Sequence, residues 1–430
     1  MLEDRADAAQ EPRAGAARSL RLVLGAFGDP GHAFPMIALG RRLALRGHRV
    51  TLQTWKHWSE HVEAAGMTFA AAPEYHVFPT RDRPLKPYAA VVRAAHETAP
   101  LIAQARPDAV IADILTLAPA LAAEAQGIPV ATVVPHVLPA GERGFPPYSL
   151  GARLPRTSVG RGVWSALDHA MGVGLRKGRE ELNETRARLG LGPLDYVHGG
   201  ISRELCLVAT LPQLEYPRRW PGWAQVVGPL LWEPPAQDVD LPEGDGPLVL
   251  VAPSTSQDPA HRLLRAAVEG LGDAPVRVLA TLNRRPLSGR PLRPASNTRL
   301  VEWVSYARTM PHCELVVCHG GHGTVVRALA SGCAVVASPA AGDMNENAAR
   351  LDWAGLGVRL PARLLSPGTV RLAVDRALAD HRLRGRARAV AGWVAANDGA
   401  TRAAELVEAF AVAGAAAVVG DAATDLASRD

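Results

Sequence analysis

Three groups of polar residues in this 430-residue chain stand where short apolar runs give out, and their types could do chemistry. The richest follows Leu315-Val316-Val317-Cys318 and reads His319-Gly320-Gly321-His322-Gly323-Thr324 before a helical pattern resumes. A strand running through glycines into a helix presents backbone N–H groups and the positive helix end to whatever fills the turn, most simply a phosphate. His319 adds a donor and Thr324 a hydroxyl. The plainer reading is a glycine turn required only for tight packing. A second group, Pro339-Ala340-Ala341-Gly342-Asp343-Met344-Asn345-Glu346-Asn347-Ala348, also follows directly on an apolar run. Asp343 is placed there to accept from a hydroxyl-rich group beside the phosphate, to cap the next helix, or both. The third joins His32, at the end of Gly25-Ala26-Phe27-Gly28-Asp29-Pro30-Gly31-His32, with Asp113, which closes Ala109-Val110-Ile111-Ala112-Asp113. A carboxylate beside an imidazole fixes its tautomer and stabilises the imidazolium formed on proton uptake, which makes a general base. Taken singly, each has a bland alternative, a capping histidine and a turn aspartate.

For these residues to meet, the apolar runs must be strands of parallel sheets whose carboxyl ends share an edge. Short apolar runs do alternate with longer amphipathic ones, the pattern of sheets covered by helices. Strands are predicted at 20–25, 49–54, 109–113 and 129–134, and the rhythm restarts at 247–252, 276–280, 298–301, 315–318 and 334–338. The expected fold class is α/β, with two doubly wound, Rossmann-like units. A proline-, glycine- and acid-rich stretch at 232–246 reads as an exposed linker between units at 19–231 and 247–411. Its Asp238-Val239-Asp240 resembles a metal-binding D-x-D, but no apolar strand leads into it and it is read as solvated linker. Residues 1–18 are expected to be disordered, and a helix at 400–410 to precede a fraying, flexible tail at 412–430. The turn after the first strand has the spacing G-x-x-G-x-x-G, and the second strand ends Leu52-Gln53-Thr54-Trp55 without the acid that holds a ribose, which argues against a dinucleotide enzyme.

Composition narrows the classes further. At 48% apolar and 21% charged residues the chain can bury a large core. Its 47 basic and 42 acidic residues leave a formal charge of +5, with only three lysines (Lys56, Lys86, Lys177). The arginines are scattered without interleaved aromatics, so no nucleic-acid partner is expected. No segment reaches the apolar length of a membrane span and the first eighteen residues lack the core of a secretory signal. Cys206, Cys313, Cys318 and Cys333 read as reduced thiols of a cytoplasmic protein, and no second pair completes a zinc site around Cys313, Cys318 and His319, so no metal is expected.

The order and spacing of these groups resemble the inverting glycosyltransferases of family 1, the plant UDP-glycosyltransferases and bacterial natural-product enzymes of GT-B fold. The likeness runs from about 20 to 410. It is carried by Gly31-His32-Ala33-Phe34-Pro35, by Asp108 and Asp113 ahead of Gly127-Ile128-Pro129, by Glu302-Trp303-Val304, by the H-G-G-x-G-T segment from His319, and by the P-x-x-G-D-x-x-x-N-A segment from Pro339. It implies two Rossmann-like domains facing across a cleft, with the C-terminal helix packing back on the first domain. It also implies His32 as the base that activates the acceptor, with Asp113 as its partner. Trp303 and Val304 would border the nucleobase; His319 with Gly321, Gly323 and Thr324 would hold the diphosphate; Asp343 would bind sugar hydroxyls; and Gly320, Met344 and Asn347 would be further donor-binding residues. Ser254 and Thr255, in the turn after the first strand of the second domain, are further candidates for phosphate contact.

The implied reaction moves a sugar from a UDP- or dTDP-sugar to a hydroxyl of an apolar small molecule, with no cofactor beyond that co-substrate. Two departures bear on the donor. Met344 stands where the family commonly has Gln, and Arg327 where UDP-sugar members usually have a ribose-binding Glu. Both fit a donor with fewer hydroxyls, such as a dTDP-deoxysugar. Trp55, Trp58, Phe78, Tyr88, Phe145 and Tyr148 lie where they could line an acceptor pocket. A sugar-nucleotide epimerase of the same build and a catalytically silent nucleotide-sugar-binding partner protein are the alternatives. The acceptor, the sugar, the atom that receives it and the oligomeric state are left open.

Overall fold

The computed structural model describes residues 18–73, 89–254, 258–287 and 289–427, except the side chains of 169, 171 and 415–427. Seven strands form the first sheet: β1 (Arg21–Gly25), β2 (Arg49–Thr54), β3 (Thr68–Ala71), β4 (Ala109–Asp113), β5 (Val130–Val134), β6 (Leu205–Val208) and β7 (Ala224–Val226). Six more form the second: β8 (Leu248–Ala252), β9 (Arg277–Thr281), β10 (Thr298–Val301), β11 (Leu315–Cys318), β12 (Ala334–Ala337) and β13 (Gly357–Arg359). Every pairing is parallel, in the orders β3-β2-β1-β4-β5-β6-β7 and β10-β9-β8-β11-β12-β13.

The central strands are covered on both faces and read as unbroken apolar runs; every residue of β4 and β8 is buried. Helices supply the cover: α1 (Pro30–Leu45), α2 (Ser59–Ala64), α3 (Ala89–Ala105), α4 (Leu117–Glu124) and α5 (Ser158–Arg188) in the first lobe. In the second lie α6 (Arg262–Leu271), α7 (Tyr306–Thr309), α8 (His322–Ala330), α9 (Asp343–Ala354), α10 (Pro367–Ala379) and α11 (His381–Ala396). The last helix, α12 (Gly399–Ala427), returns to the first lobe: Ala403, Ala404 and Val407 join the core of Leu22, Leu24 and Leu39. Arg46 clamps Glu408 at 2.5 and 2.8 Å, His48 shares that carboxylate at 2.8 Å, and Arg42 pairs with Asp398.

In each sheet the chain winds outward from one central strand and then crosses back to its other side, so β1 and β4, and likewise β8 and β11, are neighbours whose following segments leave in opposite directions. Such switch points open a crevice at the carboxyl edge. Gly25 and Asp113 end the first pair; Ala252 and Cys318 end the second.

Four strands were not expected from the sequence. β3, β7 and β13 are short or lie at the sheet margin, and β6 is a four-residue run too brief to be told from a buried turn. The helix expected at 400–410 is the first part of α12, whose bounds run to Ala427. The linker is exposed but pinned to the second lobe. Glu233 accepts from the Ser305 hydroxyl at 3.0 Å and from the Tyr306 and Ala307 amides at 3.1 and 2.7 Å, while Arg308 pairs with Asp238 and Arg299 with Asp240. The D-x-D carboxylates are thus each held by an arginine. The extension at 1–18 falls, Arg18 apart, outside the described residues, as do Phe78, Tyr88 and Thr255.

Candidate functional site

The turn between β1 and α1 fixes His32. Proline at the first helical position pre-sets the backbone, and the His32 and Ala33 amides close on the Asp29 carbonyl at 2.9 Å. A Cβ on Gly28 would fall 2.0 Å from the Trp55 ring, and the Trp58 indole donates to the Gly28 carbonyl at 2.7 Å. Trp55 and Trp58, expected at an acceptor pocket, therefore grip the turn that presents the histidine. The His32 Nδ1 lies 2.7 Å from Asp113 Oδ1, with the carboxylate fully buried and the imidazole 17% exposed. Asp113 Oδ2 accepts from the Phe27 amide at 3.2 Å and the Thr116 hydroxyl at 3.3 Å. Burial alone would depress the His32 pKa, but the charge and hydrogen bond of Asp113 outweigh it and hold the value above the ordinary one. The Nδ1–H is thereby committed to Asp113, which leaves the Nε2 lone pair to the crevice.

Across the crevice, β11 delivers His319 to the second switch point. Gly320 has φ +81° and a Cβ there would sit 3.1 Å from the Met344 carbonyl, so only glycine fits without strain. A Cβ on Gly321 would lie 2.4 Å from His319 Nε2; the bare glycine lets the imidazole lie over the turn. In α8 the Val325 amide bonds the Gly321 carbonyl at 3.0 Å, so the amides ahead of it in the first turn face the crevice end of the helix. His319 Nδ1 lies 3.4 Å from the Ala252 carbonyl, and burial lowers its pKa. Such a helix start with a neutral imidazole across it can receive an anion.

Asp343 joins the two halves. Its charge opposes the burial that lowers the pKa of His319 in its own lobe and of His136 in the other, and adds to the raised values of His32 and Tyr148, which places all four within one electrostatic neighbourhood. It is the first residue of α9 rather than its cap: Gly342, at φ +54°, holds the cap position and no side chain closes it. The Asp343 carboxylate is therefore not spent on a helix amide.

The side chain of Val304 is buried in the second-lobe core. Trp303 stays half-buried with the Arg284 guanidinium 4.8 Å over its ring, leaving one aromatic face. Asn347 is buried and its amide is used internally, donating to the Gly320 carbonyl at 2.9 Å and accepting from His322 Nδ1 at 3.3 Å. It shapes the glycine turn. Thr324 is buried against Tyr306, whose hydroxyl it meets. Ser254 is buried on the turn after β8, and Met344 is half-buried beside Gly320. Phe145 packs edge-on against Tyr216, 5.9 Å away, at the seam between lobes. Of the described aromatic candidates only Tyr148 reaches the crevice, its hydroxyl 3.3 Å from His136 Nδ1.

His136 itself was missed. It is the second residue beyond β5, and the rule that singled out Asp113, the first polar group past a buried strand, would have found it. Also missed was a buried ionic cluster between the lobes. Arg350 of α9 reaches Glu346 at 2.8 Å in its own helix, and Glu215 at 2.9 Å and the Leu214 carbonyl at 3.0 Å in the first lobe, with its guanidinium 4.1 Å over Tyr216. The four cysteines are free and buried, and burial pushes Cys206, Cys318 and Cys333 up to about 12. Among the described residues no helix is long and apolar enough to cross a membrane.

Comparison with known proteins agrees with this geometry. Residues 266–410 match the family described as erythromycin biosynthesis protein CIII-like, C-terminal domain. The chain is 29% identical over 425 residues to 4'-demethylrebeccamycin synthase of Lentzea aerocolonigenes, covering 90% of this chain and 99% of that one. Its fold superposes on the calicheamicin glycosyltransferase CalG4 with a TM-score of 0.70 at 24% identity, over 92% of this chain and 98% of the other. It also superposes on the glycosyltransferase VinC in complex with dTDP, with a TM-score of 0.67 at 19% identity, over 91% and 99%. Relatives and fold favour sugar transfer over the epimerase and the silent partner. The chain has the GT-B fold, its C-terminal lobe matches the erythromycin biosynthesis protein CIII-like type, and over nearly its whole length it is similar to glycosyltransferases of antibiotic pathways.

Proposed function

We propose that the protein moves a sugar, with inversion, from a nucleotide diphosphate to a hydroxyl of an apolar natural-product-like acceptor. The observation that carries this reading is the His32–Asp113 pair at 2.7 Å, set in the same electrostatic neighbourhood as Asp343 and His319. In this mechanism His32 Nε2 takes the acceptor proton as the oxygen attacks the anomeric carbon, and Asp113 stabilises the imidazolium that results. The glycine turn, the start of α8 and His319 stabilise the departing diphosphate, and Asp343 accepts from sugar hydroxyls. These groups supply the charge compensation a metal would otherwise give, so the proposed route uses neither metal nor resident cofactor. Inversion follows from a nucleophile on the face opposite the leaving group.

A dTDP-deoxysugar is the proposed donor. Met344 offers no amide to a sugar hydroxyl. Arg327, half-buried on α8 near the charge of Glu233, offers no carboxylate to a ribose. The dTDP-bound neighbour VinC supports the choice of nucleotide. Action in the cytoplasm belongs to the same proposal. Mixed UDP- and dTDP-sugars should be incubated with a panel of aglycones and the products read by mass. The expected result is a deoxysugar increment from a dTDP donor that His32→Ala reduces about a hundredfold or more. Better transfer from UDP donors removes the nucleotide assignment, and transfer by His32→Ala at the wild-type rate removes the base.

A further inference from the structure

His136 lies in the crevice without a part in the chemistry above. Its ring stands edge-to-face to His32, with centroids 6.4 Å apart, and stacks on Tyr148 at 5.9 Å. Its Nδ1 is 2.8 Å from the Val137 carbonyl. A carbonyl oxygen only accepts, so Nδ1 must carry the proton, and the Tyr148 hydroxyl 3.3 Å away adds a second neighbour on that side. The tautomer is therefore set, and Nε2 bears a lone pair. Among the described residues Nε2 has no hydrogen-bond partner, and it is not one of the polar atoms sealed from solvent. Burial and the charge of His32 both hold the ring neutral. A neutral lone pair repels a phosphate and selects a ligand bearing a polar hydrogen.

Resting on the transferase reading, we infer that His136 is a second anchor for the acceptor: its Nε2 accepts from an O–H or N–H other than the reacting hydroxyl. The anchor belongs to the acceptor rather than the sugar because His136 projects from the same sheet edge as Asp113, next to the base. Two fixed points on one molecule decide which of several hydroxyls meets His32. His136 thus sets regiochemistry and acceptor affinity, while His32 sets rate.

The test uses His136→Phe, which keeps a flat ring and loses the lone pair, and His136→Gln, which can present an amide oxygen instead. On a polyhydroxylated probe such as quercetin, His136→Phe should raise acceptor KM about tenfold, the worth of one hydrogen bond, with donor KM unchanged. It should also turn one major glycoside into several, and His136→Gln should recover part of the selectivity. An unchanged acceptor KM and product ratio, or a rise in donor KM instead, overturns the inference. Absence of His32-dependent transfer to any probe overturns the proposed function and this inference with it, whereas transfer that His136→Phe leaves unchanged overturns this inference alone. In nitrogen-15 spectra of the histidine-labelled protein at pH 8, a His136 proton on Nδ1 supports it and one on Nε2 sinks it.

Discussion

Replacing Asp113 by Asn tests the proposed base most sharply, because the change is isosteric and its outcome can be worked from the hydrogen bonds. One carboxylate oxygen accepts the His32 Nδ1–H at 2.7 Å; the other accepts the Phe27 amide at 3.2 Å and the Thr116 hydroxyl at 3.3 Å. An asparagine has one oxygen for these two sites. With the amide oxygen toward His32, its NH2 opposes the Phe27 N–H and leaves a buried donor unpaired, at a cost of about 1–3 kcal/mol. With the oxygen toward Phe27, all groups there are paired but the NH2 donates to His32 Nδ1. The second arrangement should dominate by roughly 5- to 150-fold. It moves the imidazole proton to Nε2, where the acceptor proton would have to go.

Transfer should then lose about 10²–10⁴ in kcat, the span of general-base catalysis, or about 2.7–5.5 kcal/mol of barrier. Donor binding and melting temperature should hardly move. The pH profile gives an independent reading. In the wild type Asp113 holds the His32 pKa above its ordinary value of about 6.5, so activity should rise with pH through that elevated value. Without the carboxylate, burial is opposed only by the smaller effects of the Asp29 and Asp343 charges, and the acid limb of residual activity should move to lower pH. His32→Ala combined with Asp113→Asn should be no slower than His32→Ala alone, since the two act as one unit. An Asp113→Asn enzyme within about threefold of wild type, or with an unmoved acid limb, would refute a base oriented by this carboxylate.

Two further outcomes follow from the second lobe. Burial keeps His319 neutral in the free protein, with Nδ1 toward the Ala252 carbonyl, so an arriving diphosphate should recruit a proton to Nε2. Calorimetry of dTDP in buffers of different ionisation enthalpy should show proton uptake near pH 7 and weaker binding as pH rises, and His319→Ala should abolish both; binding without uptake removes the ion pair. Arg350→Ala leaves Glu215 and Glu346 buried without their cation, and should cost about 3–5 kcal/mol of stability by denaturant titration. A loss under about 1 kcal/mol would mean that the cluster is hydrated in solution.

The features that could be read from the sequence are those in which one short segment determines its own geometry. A four- or five-residue apolar run, as at Ala109–Asp113 and Leu315–Cys318, makes a buried parallel strand and brings the polar group at its end, Asp113 or His319, to the sheet edge. The site residues that depend on a partner far along the chain behave differently. Asn347 looks available beside Asp343, but Gly320 and His322 consume its amide. Val304 sits next to the half-buried Trp303, yet in the loop after β10 its own side chain packs into the core of the second lobe. Trp55 and Trp58 suit an aglycone pocket by composition, but a Cβ on Gly28 would fall 2.0 Å from Trp55 and the Trp58 indole donates to the Gly28 carbonyl, so both hold the turn that carries His32.

The seam between the lobes had no sequence signal because neither half is unusual alone. Glu215 and Arg350 are 135 positions apart, and each would be an ordinary surface charge on an isolated domain. Brought together they fix α9 from the first lobe, and neighbouring contacts repeat the grip: Arg153 pairs with Asp352 at 2.8 Å, Arg156 donates to the Trp353 carbonyl at 3.2 Å, and Gly151 packs on Asn345. The same segment of the first lobe carries Tyr148, which touches His136. A helix gripped along its length by the lobe proposed to bind the acceptor begins with the carboxylate proposed to bind the sugar. The distance between the attacking oxygen and the anomeric carbon is therefore set by packing at this seam as much as by either pocket, and a transferase needs that alignment most where neither substrate can enforce it alone.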